Sequence, residues 1–217
     1  MTENEAQRWL KDSLNVSRET WERLEAFVEF LKVEATQQNL ISAATLQAIW
    51  TRHIVDSAQL LGHVPEAQRW LDLGTGAGFP GLIVALLSDH DVTLVESRAK
   101  RIEYLRRAVD LLGLESRTRI AHMPVERLET ATYDIISARA FAPLPRLLDL
   151  AARFSTAKTL WLLPKGRNAV KELHEAHGRW QLDFAVKPSI TDDQAGILVG
   201  HVIGERPRGP VKGKRKQ

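Results

Sequence analysis

Two rhythms of apolar positions divide the chain. Over the first 62 residues they recur three and four apart, the period of helices that bury one face. Ser17 stands where it caps a helix whose stripe is Trp21, Leu24, Val28 and Leu31, widened by Phe27 and Phe30. A continuous helix is expected from about Thr45 to Leu61, with Leu46, Ile49, Trp50, Ile54, Ala58 and Leu61 inward, and a short one around Glu5 to Lys11. Together these predict a helical cap over residues 1–62.

From Arg69 onward, short apolar runs near 70–73, 91–96, 118–122, 133–138 and 158–163 alternate with helical stretches near 80–88, 98–112, 143–153 and 168–177. Such alternation predicts an α/β fold with a mostly parallel sheet covered on both faces and ligands at the carboxyl ends of the strands. Segments near 180–187 and 196–203 read as an antiparallel pair completing seven strands. Residues 63–205 form this core, one compact unit with the cap, and residues 206–217 a disordered basic tail.

Charge sharpens that boundary. Six of the 30 basic residues, among them Arg206, Lys212 and Lys214, follow position 205 with no acid, so a chain of net charge +3 has a first stretch of 205 residues at −3. The tail reads as an electrostatic tether for a polyanion, or as a solubilising terminus. The absence of cysteine excludes disulfides, thiolate zinc sites and a thiol nucleophile, and with it the usual route to cytosine C5 methylation. No apolar run is long enough to cross a membrane, and the acidic start Met1-Thr-Glu-Asn-Glu5 lacks a signal-peptide core; both lead to the expectation of a cytoplasmic protein.

The candidate chemistry sits at the first strand. Residues 70–81 read Trp-Leu-Asp-Leu-Gly-Thr-Gly-Ala-Gly-Phe-Pro-Gly, in which Gly74, Gly76 and Gly78 allow a tight turn flush against a ligand. Gly76-x-Gly78-x-x-Gly81 also satisfies a dinucleotide fingerprint. Pro80, however, removes a donor from the helix start, and Asp72 would repel a pyrophosphate while accepting from the amine of an amino-acid ligand. Glu96, ending the second strand twenty residues past Gly76, is spaced to grip ribose hydroxyls. Amine, sulfonium and adenosine without phosphate describe S-adenosylmethionine.

Asn39-Leu40, Arg52-His53 with Asp56-Ser57, the Gly-Phe-Pro-Gly loop, Lys100-Arg101, Val125-Glu126, Ser137 with Arg139-Ala140-Phe141-Ala142, and Lys165-Gly166 occur in an order that resembles the bacterial 16S rRNA guanine-N7 methyltransferase family (RsmG, or glucose-inhibited division protein B) over about residues 20–205. The resemblance implies a Rossmann-like class I S-adenosylmethionine-dependent methyltransferase fold. It also implies that Gly74 and Phe79 line the cofactor pocket, Val125-Glu126 flank the adenine, Arg139 closes the site, and the substrate is 16S rRNA in the 30S subunit, without an obligate protein partner. The sequence departs from the family at Asn39-Leu-Ile-Ser42, where Asn-Leu-Thr-Ala is usual, and in Pro124 and Pro164.

Guanine N7 carries its own lone pair, so no general base is required and none is assigned; positioning supplies the rate. Arg139 is the positioning candidate, orienting cofactor carboxylate, guanine O6 or phosphate, or else serving as a structural ion-pair partner. Phe79 and Phe141 are placed to flank a base or to fill the core. Lys165 is a candidate phosphate contact, with Arg98 and Arg101 on a helix face otherwise read as solvated. His53 and Asp56, three apart, predict a hydrogen bond to each other that ties cap to core. His174 and His177 have no third ligand, so no metal is expected. The alternatives are a methyltransferase acting on a small metabolite or protein, a nicotinamide-dependent dehydrogenase, and a non-catalytic RNA-binding module.

Overall fold

The computed structural model describes residues 1–64 and 68–207. The cap begins with α1 (Glu3–Leu14), closed by a reciprocal Thr2–Glu5 capping box, and α2 (Arg18–Ala35), whose first turn is capped by Ser17 as expected. Beyond a loop, α3 (Ala43–Leu46) is followed by a π-helical turn at Trp50–Val55, a short α4 (Asp56–Ala58) and a 3-10 turn at Gln59–His63. The continuous helix expected from Thr45 to Leu61 is therefore corrected to four short helical pieces.

The core runs β1 (Arg69–Leu73), α5 (Gly81–Leu87), β2 (Asp91–Glu96), α6 (Ala99–Leu112), β3 (Thr118–His122), β4 (Ile135–Ala138), α7 (Leu144–Ala151), β5 (Leu160–Gly166), α8 (Ala169–Ala176), β6 (Trp180–Pro188) and β7 (Gly196–Glu205). The sheet order is β3-β2-β1-β4-β5-β7-β6, parallel except for β7, which runs antiparallel to both β5 and β6. The order turns between β1 and β4, the crevice where open α/β sheets receive ligands.

Alternation along the strands feeds two apolar layers. Trp70, Leu94, Ile135, Leu162 and Ile197 face the cap together with α5 and α6, while Leu71, Leu73, Ile136, Trp161 and Leu198 face α7 and α8. The cap shares the first layer. Its polar seams with α6 are the two-pronged Glu34–Arg107 pair, at 2.7 Å on each arm, and an Arg23 hydrogen bond to the Leu112 carbonyl at the end of α6. Arg107, half-exposed on the α6 face that carries Arg98 and Arg101 near its start, thus reaches across to α2.

Among the described residues no helix is long and apolar enough to cross a membrane, and no cluster of three or more His, Cys, Asp or Glu is arranged to hold a metal. Arg206 is hydrogen-bonded through its backbone N–H to the Arg179 carbonyl and through its guanidinium to the Trp180 carbonyl. It follows the end of β7 opposite to the Gly196 end that meets β5 at Gly166. Lys212 and Lys214 lie outside the described residues.

Candidate active site

A cleft of about 860 Å³ opens over the carboxyl ends of β1, β4 and β5. Its floor is the β1–α5 loop, its walls are residues 139–143 and 164–166, and its roof combines cap residues 40–56 with residues 189–197, from the β6–β7 connection into the start of β7. Gly74, Gly76, Phe79, Arg101, Arg139, Phe141 and Lys165 all line it. The sequence-predicted residues Asp72, Gly78, Glu96, Arg98, Val125, Glu126 and Arg206 do not.

The loop's shape follows from its hydrogen bonds. Gly74, at φ +64°, carries the Phe141 ring where a side chain would begin, and Gly78, at φ +90°, is filled against by Leu82. The N–H groups of Gly78 and Phe79 both donate to the Thr75 carbonyl, Leu82 to Gly78, and Ile83 to Pro80. Gly81 donates to Asp72 at 3.0 Å. With Pro80 lacking an N–H, the start of α5 presents these donors to the protein itself, which makes it unsuited to a pyrophosphate.

Asp72 is the main correction to the expected site. It is fully buried under the loop, with one oxygen on the Gly81 N–H and the other accepting from the Ser137 hydroxyl at 2.7 Å. Ser137 in turn accepts from the Trp70 indole. Burial pushes the Asp72 carboxyl above its ordinary range, against the pull of its hydrogen-bond donors. Its oxygens are committed to shaping the loop, so the expected contact with a ligand amine is withdrawn.

Glu96 occupies the end of β2 beside the cleft. One oxygen accepts from the N–H groups of Ser97 and Arg98 at 2.7 and 2.9 Å, anchoring the start of α6; the other meets Arg101 at 3.3 Å. Arg101 also donates to the Asn39 carbonyl, so it bridges cap and core above the β2 end. Next to Glu96, across the β2–β3 pairing, Val125 is buried, its carbonyl accepting from Arg153, and Glu126 is exposed, 3.7 Å from Arg146. Glu96, Val125 and Glu126 therefore sit along the β2–β3 flank, beside the cleft and outside its lining.

On the other flank, Arg139 leaves β4 at a turn in which Ala140 takes φ +51°, an unusual conformation for a residue with a side chain. This turn aims Arg139 at the π-helical segment and lays Phe141 against Gly74. Arg139 donates to the Arg52 carbonyl at 2.9 Å, to Asp56 at 3.2 Å and to His53 Nδ1 at 2.9 Å. The expected His53–Asp56 bond is thus corrected: both residues grip Arg139 instead. Asp56 is held further by Gln59 and Thr191, and Arg52 pairs with Asp192 at 2.9 Å.

Phe79 lies beneath this network, its ring stacked on His53 with centroids 4.9 Å apart and the Arg139 guanidinium 5.1 Å above its centroid. Lys165, nearly buried, is paired with Glu172 at 3.0 Å and donates to the Ala142 carbonyl; Glu172 also receives the Leu144 N–H. Its charge is therefore matched within the protein. Thr191 and Asp192, lining residues that the sequence did not single out, reach Asp56 and Arg52 across more than 130 positions, a separation with no local signal.

A family model described as rRNA small subunit methyltransferase G (GidB) matches residues 20–197. The chain is 51% identical over 218 residues to a protein named ribosomal RNA small subunit methyltransferase G from Rhizorhabdus wittichii, covering 99% of each chain. It is 46% identical to a protein of the same name from Zymomonas mobilis, covering 99% of this chain and 100% of that one. Among solved structures, a putative O-methyltransferase from Klebsiella pneumoniae superposes with a TM-score of 0.58 at 18% identity, covering 89% of this chain and 94% of that chain. A mutant of MtNAS in complex with S-adenosylmethionine gives 0.56 at 16% identity, covering 92% and 83%. The two structures share the fold of the sheet and its helices, and the match over residues 20–197 shows that the chain belongs to the rRNA small subunit methyltransferase G family.

Proposed function

We propose that the protein transfers a methyl group from S-adenosylmethionine to N7 of a guanosine in 16S rRNA, acting on the 30S particle in the cytoplasm. The observation that carries the donor assignment is the self-satisfied start of α5. A loop whose N–H groups from Gly78 to Ile83 are taken by Thr75, Gly78, Pro80 and Asp72 suits a nucleoside ligand without phosphate. The acid at the end of β2 and the open glycine surface at Gly76 fit the same ligand. The relatives' names supply the acceptor class.

When bound, S-adenosylmethionine supplies an electrophilic methyl on a sulfonium. Glu96 would accept from the ribose hydroxyls, Val125 and Glu126 would border the adenine, and the turn made by Gly74, Gly76 and Gly78 would let the loop lie against the nucleoside. Arg139 presents its remaining N–H groups to the donor's carboxylate. Phe79 and Phe141 wall the path of the base. Guanine N7 has its own lone pair, so the protein has to orient and desolvate rather than remove a proton. An RNA helix hides N7 in a deep groove, so the substrate is an unpaired or extruded guanosine. Arg98 and Arg101 stand on the β2 side of the cleft as phosphate contacts. Lys165, already paired, acts through the Ala142 turn. The tail from Arg206, with Lys212 and Lys214, adds a non-specific tether.

Incubation of the full chain with labelled methyl donor and 30S particles lacking the modification tests this reading. The label is expected in 16S rRNA, at a site that borohydride and aniline cleave. Labelled RNA resistant to that cleavage would reject N7, and label in protein or a small molecule would reject the RNA substrate.

A further inference from the structure

His53 makes one side-chain hydrogen bond among the described residues, and it is to Arg139. A guanidinium only donates, so Nδ1 accepts and the proton of the neutral ring resides on Nε2. That Nε2 is buried with no partner among the described residues. An unpaired buried N–H is costly, and a leucine of similar size would avoid it. Packing alone therefore does not account for a histidine here, whereas the bond to Arg139 does. Burial, then the neighbouring Arg139 and Arg52, push the imidazole down to about 3, so the accepting lone pair is available at neutral pH.

We propose that His53 is a positioning residue: through Nδ1, with Asp56 and the Arg52 carbonyl, it fixes Arg139 against Phe79 so that the guanidinium meets the ligand in one orientation. These three acceptors engage three of the five guanidinium N–H groups and leave two for an acceptor on the bound donor, a carboxylate by preference. A neutral acceptor at position 53 orients Arg139 without cancelling its charge, which Asp56 already shares. The inference rests on the reading of Arg139 as a ligand contact.

The test compares His53→Asn, which keeps an acceptor where Nδ1 lies, with His53→Leu and His53→Gln, which do not. Each full-length variant is measured for thermal unfolding, for S-adenosylhomocysteine affinity and for kcat/KM on 30S particles lacking the modification, with Arg139→Leu as reference. Leu and Gln are expected to lose affinity and kcat/KM together, on the order of 10- to 100-fold. They should unfold no earlier than the wild type, and the Asn variant should stay close to wild type in all three measurements. In the Arg139→Leu background, His53→Leu should cost nothing further. Should Asn fall as far as Leu, or Leu match the wild type while Arg139→Leu is impaired, the positioning role is overturned. Should Arg139→Leu itself bind and turn over normally, the assignment of Arg139 to the ligand fails, and the proposal with it.

Discussion

At His53 a proton and a guanidinium compete for one lone pair. The folded protein depresses this imidazole from 6.5 to about 3, so between those values the unfolded chain binds the proton that the folded chain refuses. Its contribution to stability is therefore complete above pH 6.5 and declines as pH falls toward 3, by up to roughly 1.4 kcal/mol per pH unit for one proton. His63 and His90, also depressed by burial, act in the same direction, and Asp72, raised by burial, acts in the opposite one. Urea unfolding at pH 7 and at pH 5 should accordingly show a smaller loss for His53→Asn than for the wild type. Equal losses would mean that the imidazole is not kept neutral. Gly74 was legible from spacing, because glycines and an acid at βαβ distance point to one edge of the sheet, whereas Arg139 entered through the family resemblance. The destination of the Asp72 carboxylate was not legible. Its partners are the Gly81 N–H and a hydroxyl 65 positions away, and strand periodicity cannot tell a carboxylate facing the cleft from one beneath the loop.

Among the elements, the π-helical turn at Trp50–Val55 does most to build the site. Its start is capped from outside, since the Glu3 carboxylate accepts from the N–H groups of Trp50 and Thr51 and from the Thr51 hydroxyl, at 2.6–3.0 Å. Trp50 is also stacked on Trp21, with centroids 4.9 Å apart. The extra residue of a π turn places the Arg52 carbonyl, His53 and Asp56 around one guanidinium. Glu3→Ala would strand these donors and should lower unfolding free energy by about 1–3 kcal/mol, read as a shift in the denaturant midpoint. An unchanged midpoint would show that α1 does not brace this turn. The apolar stripe from Leu46 to Ala58 is real, with Ile49, Ile54 and Ala58 buried, which is why the sequence reads as one helix. The breaks follow from contacts with Glu3, Arg139 and the 189–192 segment, 47 to 140 positions away, to which helical periodicity is blind.

Over the whole molecule, the alternation of strands and helices foretold the seven-stranded sheet and its two apolar layers, because each strand's buried face is written locally. The cap's place was less visible. It joins one layer through Glu34–Arg107 and Arg23–Leu112 and closes over the carboxyl edge through His53, Asp56 and Arg101, so cap and sheet enclose the cleft together. Arg206 follows β7 at the end opposite to the Gly196 end that lines the cleft. The central claim is that this enclosed edge selects a phosphate-free sulfonium nucleoside. Calorimetric titration of the full chain with S-adenosylmethionine and, separately, with NAD tests it most directly. One saturable site for the first and no heat of binding for the second is the predicted result; saturable binding of NAD, or none of S-adenosylmethionine, would contradict it.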